Sequence, residues 1–244
     1  MGYGAIEVRG FERCLRLGEI PVLKPENRRE TLRKMEEAGL CFCSFDTSCS
    51  FHDPEKTEEM LAEGREAIDI AADMGVPYIR VFGNSLPEGY TEEENIARIA
   101  GGIRELCCYA EGKNVQVLLE VHGDVVTRER LVKTAKLVDR PEFGIIWDVE
   151  HIEGCTHMEL YEAIKPWVRH VHIKDGYTAD GKRILCLPGE GDLPLCGIVR
   201  TMLADGYDGW FSFEWEKLWY KDLPEPEEAF PVYVRMMEKF FSAP

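Results

Sequence analysis

The sequence is short of positive charge: 29 Lys and Arg stand against 45 Asp and Glu, giving a net charge of −16. Nucleic-acid binding draws on clustered Lys and Arg to neutralise phosphates, so this balance argues against a polyanionic partner. No run is long and apolar enough to cross a bilayer, which argues against a membrane partner. The opening residues, Met1-Gly2-Tyr3-Gly4-Ala5-Ile6-Glu7-Val8-Arg9, are too short and too charged for a signal peptide. Nine cysteines are present, an odd number with no C-x-x-C pair. Without an export signal they read as reduced thiols of a cytoplasmic protein, each a small buried hydrophobe. Low-complexity segments and interdomain linkers are also missing, so residues 1–244 read as one domain.

What is there is alternation. Short apolar runs that suit buried parallel strands are separated by stretches of helical periodicity. Strand patterns cover Ala5–Arg9, Leu40–Phe45, Tyr78–Phe82, Val115–Leu119, the run from Phe143 to Asp148, the run from Val168 to His172, and Trp210–Phe213. Helical patterns cover Pro25–Ala38, Thr57–Met74, a stretch from about Glu92 to Glu111, Thr127–Leu137, Met158–Lys165, Leu195–Ala204 and Glu227–Phe241. Thr91 is an N-cap, with Glu94 completing a capping box. The last helix is expected to cover the bottom of the domain. The stretch after Asp175, through Gly181 and Gly189–Asp192, and the polar stretch Asp46–Asp53 read as loops. This spacing predicts an α/β fold, a (β/α)8 TIM barrel. Seven strands are counted instead of eight, so the first strand and helix are expected to be missing. The predicted result is a gap or distortion between Ala5–Arg9 and Trp210–Phe213, or a homodimer that covers it.

Four strands end in metal-capable side chains: Glu120, Asp148, His172 and Glu214. Three carboxylates converging on one barrel mouth repel one another unless a cation sits among them. Oxygen-rich ligation with one nitrogen suits Mn²⁺ or Mg²⁺, with Zn²⁺ and Co²⁺ as alternatives. His151, three residues past Asp148, is placed to bind a substrate hydroxyl or join the metal shell. Lys174 and Arg80 lie near strand ends, where each would hold a substrate oxygen or pair with a surplus carboxylate. His122 and His52 are weaker candidates, Glu216 is unassigned, and His157 and His170 read as structural.

The ordered set Glu120-Val-His-Gly, Trp147-Asp148-Val-Glu-His151, His170-Val-His172-Ile-Lys174-Asp175, Gly189-Glu190-Gly191-Asp192 and Phe213-Glu214-Trp215-Glu216 resembles the xylose isomerase-like TIM-barrel superfamily. Within it, the sugar phosphate isomerase/epimerase group, of the AP endonuclease family 2 type, is the nearest match. The resemblance implies that Glu120, Asp148, His172 and Glu214 hold a divalent metal. It also implies that Glu120 and Glu214 face each other across the substrate as the acid/base pair, and that His151 contacts substrate or metal.

The chemistry of these side chains runs the same way. Removing a proton beside a carbonyl passes through an enediolate, which nearby positive charge stabilises. The expected activity is isomerisation or epimerisation of a small sugar, ketose or polyol, with Glu120, Glu214 and Lys174 catalytic and His151, Arg80 and His122 binding substrate. A keto-polyol dehydratase of the inosose type is the nearest alternative. An endonuclease IV-like phosphodiesterase fits less well, since six histidines and an acidic surface suit neither a three-zinc site nor DNA. An inactive remnant is the remaining alternative, raised by the absent first strand.

Overall fold

The computed structural model describes residues 2–242; residues 1, 243 and 244, the ends of the expected 1–244 domain, lie outside them. Six strands come first: β1 (Ala5–Val8), β2 (Cys41–Ser50), β3 (Tyr78–Phe82), β4 (Gln116–Glu120), β5 (Phe143–Asp148) and β6 (Val168–Ile173). A hairpin, β7 (Asp175–Ala179) and β8 (Lys182–Cys186), precedes the last strand, β9 (Phe211–Phe213). The helices are α1 (Pro25–Glu37), α2 (Thr57–Met74), α3 (Glu92–Ala110), α4 (Arg128–Val138), α5 (His157–Ile164), α6 (Leu195–Ala204) and α7 (Pro226–Ser242). β1 to β6 and β9 form one parallel sheet of seven strands in chain order, and β7 pairs with β8 apart from it. This is a (β/α) barrel, nearly closed. No described helix is long and apolar enough to cross a membrane.

Strand alternation divides the molecule into two interiors. Ile79 and Val81, Val117 and Leu119, Ile145 and Trp147, and Val171 and Ile173 face the helices and join one apolar core. The Trp147 ring stacks on Tyr161 of α5, 5.3 Å between centroids. The alternate positions carry Arg80, Glu120, Asp148, His170 and His172, all buried. The barrel interior therefore carries these charged groups beside the apolar Leu118 and Ile146, while the shell between sheet and helices is apolar.

The helix ends follow local chemistry. Thr91 and Glu94 form the expected capping box, and Thr156 and Glu159 form a second one. Gly75 stops α2 in the left-handed conformation, φ 69°, where a side chain would be strained.

Three expectations need correction. The stretch Asp46–Ser50 continues β2 rather than forming a loop, with Asp46, Thr47 and Ser50 buried; Thr47 Oγ1 donates to Arg80 O at 2.6 Å, which holds the polar segment to β3. The stretch after Asp175 is a hairpin whose two strands are joined by Asp180-Gly181. Both turn residues have positive φ, 50° and 71°, the conformation that matches a two-residue hairpin turn to strand twist. Finally, α7 packs along the opening between the first and last strands rather than only across the bottom.

That opening is the predicted gap: β1 and β9 are the two ends of the sheet and share no ladder. Aromatic side chains fill it. Tyr3 stacks on Tyr233 of α7 at 6.0 Å, and Tyr233 stacks on Phe213 of β9 at 4.6 Å. The Tyr3 hydroxyl donates to Phe230 O at 3.1 Å, and the Tyr233 hydroxyl donates to Phe211 O at 2.7 Å.

Candidate active site

Parallel strands bring their C-terminal ends to one mouth, where barrel chemistry is placed. Glu120 and Asp148 are the last residues of β4 and β5, His172 is near the end of β6, and Glu214 follows β9. The structure brings these four together: each offers a ligand atom, and the four atoms all lie within 4.8 Å of one another. His172 Nδ1 is 3.3 Å from Glu120 Oε1 and 3.5 Å from Glu214 Oε2. His172 Nδ1, Asp148 Oδ2 and Glu214 Oε2 are buried and make no directed hydrogen bond. The two oxygens have the Lys174 ammonium within ion-pair distance; a buried ring nitrogen without a directed partner is uncommon, and a divalent cation among the four groups would satisfy it. The donor set, three carboxylates and one imidazole, fits a divalent metal ion.

The charges support that fit. Burial pushes Asp148 up to about 7 against the pull of Lys174, with Glu214 and Glu120 adding to the rise. Burial also works to raise Glu120, but Arg80 and His172 overcome it and hold the carboxyl at about 2. Glu214 is likewise held low, with Lys174 and His172 outweighing burial. Burial opposes charge on His172, yet Glu7, Glu214 and Glu120 raise it well above the usual imidazole range. Among the four converging groups, Asp148 is the carboxyl whose affinity for a proton is raised.

Lys174 is buried at the centre of the ion pairs. Its Nζ lies 2.9 Å from Asp148 Oδ2 and 2.7 Å from Glu214 Oε2, with Glu150 and Glu216 each at 3.7 Å. Arg80 is also buried and pairs with Glu120 Oε2 at 2.5 Å, donating as well to Thr47 O. Pairing with a carboxylate is one of the two roles open to Arg80 from sequence. His151 Nε2 sits 3.5 Å from Asp148 Oδ2, and its ring meets that of His122 edge-on at 4.7 Å. His122 in turn packs on Phe82 at 5.0 Å. These rings line one side of the mouth. His52 stands apart, in a groove with Leu86, Pro87 and Tyr90.

Several site residues went unmarked in the sequence. Glu7 of β1 points into the barrel, with Oε2 at 2.9 Å from His170 Nε2 and Oε1 at 3.0 Å from His172 Nε2. These are direct hydrogen-bond distances, with no room for an ion between the partners. Asp46 is buried nearby and accepts from Ser44 Oγ at 3.1 Å. Glu150 pairs with Arg183 of the hairpin at 3.2 Å. Glu216, left unassigned above, joins the cluster's rim, where burial pushes it up to about 7. The available signal for Glu7 was a single carboxylate between apolar neighbours, Ile6 and Val8, in a strand pattern.

Comparison with known proteins agrees with this architecture. The chain is 28% identical over 171 residues to fructoselysine 3-epimerase of Shigella flexneri, an alignment covering 66% of this chain and 60% of the relative. The chain thus spans about 60% of the length of that relative. It is 24% identical over 219 residues to inosose dehydratase of Geobacillus thermodenitrificans, covering 77% of this chain and 71% of that protein. A xylose isomerase-like TIM barrel protein from Mycobacterium smegmatis, solved in complex with magnesium, superimposes with a TM-score of 0.67 at 22% identity, covering 87% and 77% of the two chains. That last likeness bears on the fold alone. A family model described as a xylose isomerase-like TIM barrel matches residues 1–239, and with the seven-stranded barrel already in view, the chain belongs to the xylose isomerase-like TIM-barrel family.

Proposed function

We propose that this protein is a divalent-metal-dependent isomerase or epimerase that moves a proton on the carbon beside a carbonyl in a small sugar, ketose or polyol. The observation that carries this reading is the convergence of Glu120, Asp148, His172 and Glu214 on one point, with His172 Nδ1 buried and without a directed hydrogen bond. These four would hold the ion. A divalent cation at such a site supplies charge to set against the oxygens of an enediolate.

The remaining work falls to the chain's own groups. Glu120 and Glu214 are both held as carboxylates, so either can take a proton from carbon and return it. Arg80 keeps Glu120 charged and fixes its direction. Lys174 is placed to donate to a substrate oxygen once it turns from Glu214, and His151 and His122 are placed to bind hydroxyls at the mouth. Relatives named as an epimerase and a dehydratase support proton transfer beside a carbonyl as the common step.

One observation favours the dehydratase reading as the second choice. The two glutamates are not equivalent: Glu120 is buried against Arg80, while the Glu214 side chain is 27% exposed. Elimination of a β-hydroxyl needs a single base at carbon, and an unequal pair suits it. Metal analysis and solvent-deuterium exchange on wild type, Glu120→Gln, Glu214→Gln and Asp148→Asn test both readings. An epimerase should lose exchange from opposite substrate epimers in the two glutamine variants; a dehydratase should lose it in one only. Asp148→Asn should weaken metal binding without that asymmetry. A wild-type protein that holds no Mn²⁺, Mg²⁺, Co²⁺ or Zn²⁺ would sink the four-ligand site and the mechanism with it.

A further inference from the structure

We infer that Glu7 is a positioning residue for His172: by accepting the proton on Nε2 it fixes the ring and leaves Nδ1 facing the three carboxylates. The inference rests on the metal reading above and goes beyond its four ligands.

An imidazole can present either nitrogen to a metal, and the hydrogen bond made by the other nitrogen decides which. An ionised carboxylate only accepts. Glu7 has each oxygen on a ring nitrogen, Oε1 on His172 Nε2 at 3.0 Å and Oε2 on His170 Nε2 at 2.9 Å. Both Nε2 atoms must therefore donate. The nitrogen of His172 left over is Nδ1, which is buried, lacks a directed partner, and points at Glu120 and Glu214. The second bond braces the first. The His170 ring stands edge-on to the His172 ring, 5.6 Å between centroids at 88°, so rotation of either ring would break its bond to Glu7. Glu7 sits on β1, an end strand of the sheet, and its reach to β6 ties that end to a metal ligand across the barrel.

A rival account makes Glu7 a plain tie between β1 and β6. It predicts lower stability with no effect on which nitrogen His172 offers. Glu7→Gln separates the two. Its amide oxygen can accept from one ring, but its amide nitrogen donates, so the other ring must present a bare nitrogen or lose the bond. His170→Phe is the control, because it removes the brace and leaves Glu7 on His172. In calorimetric Mn²⁺ titrations, Glu7→Gln should bind roughly tenfold or more weakly than wild type, the range seen when an outer partner of a metal histidine is removed. His170→Phe should lose clearly less. Nitrogen-15 NMR of histidine-labelled wild type should show a proton on His172 Nε2 with and without Mg²⁺, and a bare Nδ1 with it.

A folded Glu7→Gln protein with unchanged Mn²⁺ affinity would overturn the inference. So would equal losses in the two variants, which would mark a general loosening of the barrel. A wild-type His172 with its proton on Nδ1 and a bare Nε2 would overturn it even if Glu7→Gln failed to fold. If wild type takes up no metal, the metal reading fails, and the wild-type spectrum still decides whether Glu7 holds the Nε2 proton.

Discussion

Lys174 carries much of the charge balance in the mouth, with its side chain 3% exposed among Asp148, Glu214, Glu150 and Glu216. Replacing it by methionine keeps the volume and removes the cation. Metal-free Lys174→Met should lose about 3 kcal/mol in urea unfolding, the cost of a buried charge stripped of its partner. Added Mn²⁺ should recover a large part of that loss. If the variant is as stable as wild type without metal, Lys174 does not hold the carboxylates together. Turnover should fall further, on the order of a hundredfold in kcat/KM, because a donor to the substrate oxygen is gone. At this scale the sequence was legible where a polar residue closes a short strand pattern, as at Glu120, Asp148 and His172. It was opaque at Glu7 and Asp46. β1 is four residues long with a register shift between Ile6 and Glu7, and Asp46 opens a polar stretch that looks like a loop. The strand at Glu7 was read but not its reach across the barrel to β6, and at Asp46 pairing with β3 rather than local pattern sets the conformation.

Asp175 binds the start of the hairpin β7–β8 to the Gly189–Gly191 turn that follows it. Asp175 accepts from Gly176 N at 2.9 Å, Gly189 N at 2.8 Å and Gly191 N at 3.1 Å. A Cβ at Gly191 would lie 2.0 Å from Asp175 Oδ1 and 2.4 Å from Gly176 O. Backbone on one side and a fully bonded carboxylate on the other leave it no space. Gly191→Ala should therefore cost about 1–3 kcal/mol of stability and also lower kcat/KM, since Asp175 adjoins Lys174. Denaturation and steady-state rates measured together would check this; a stable, fully active variant would show that the clamp is dispensable. Helices were readable nearly to their ends because caps and stop glycines are local. The hairpin was missed although Asp180-Gly181 is a strong two-residue turn signal. Its flanks, Tyr177-Thr178-Ala179 and Lys182-Arg183-Ile184, face outward and lack the apolar alternation by which strands are recognised.

In the whole molecule, each strand of the barrel pairs with its neighbour in the chain, and the aromatic seam and Glu7 help join the two ends. The Tyr3–Phe230 hydrogen bond spans 227 residues, and those of Glu7 to His170 and His172 span 163 and 165. Closing loops of that length is entropically the dearest step in assembling the barrel. Contacts of such high order should form after the rate-limiting step, with φ-values near zero. Tyr233→Ala, which cuts the middle of the aromatic stack, should destabilise by about 3 kcal/mol. Nearly all of that should appear as faster unfolding, on the order of a hundredfold, with the refolding arm of the chevron unchanged. A slowed refolding arm would place the seam in the folding nucleus. If His172 is locked only when Glu7 arrives from the far end of the chain, a partly assembled barrel offers carboxylates without an oriented imidazole. Divalent metal would then be no template for folding. It would act as a latch fastened last, lengthening the lifetime of the native state while leaving the speed of reaching it untouched.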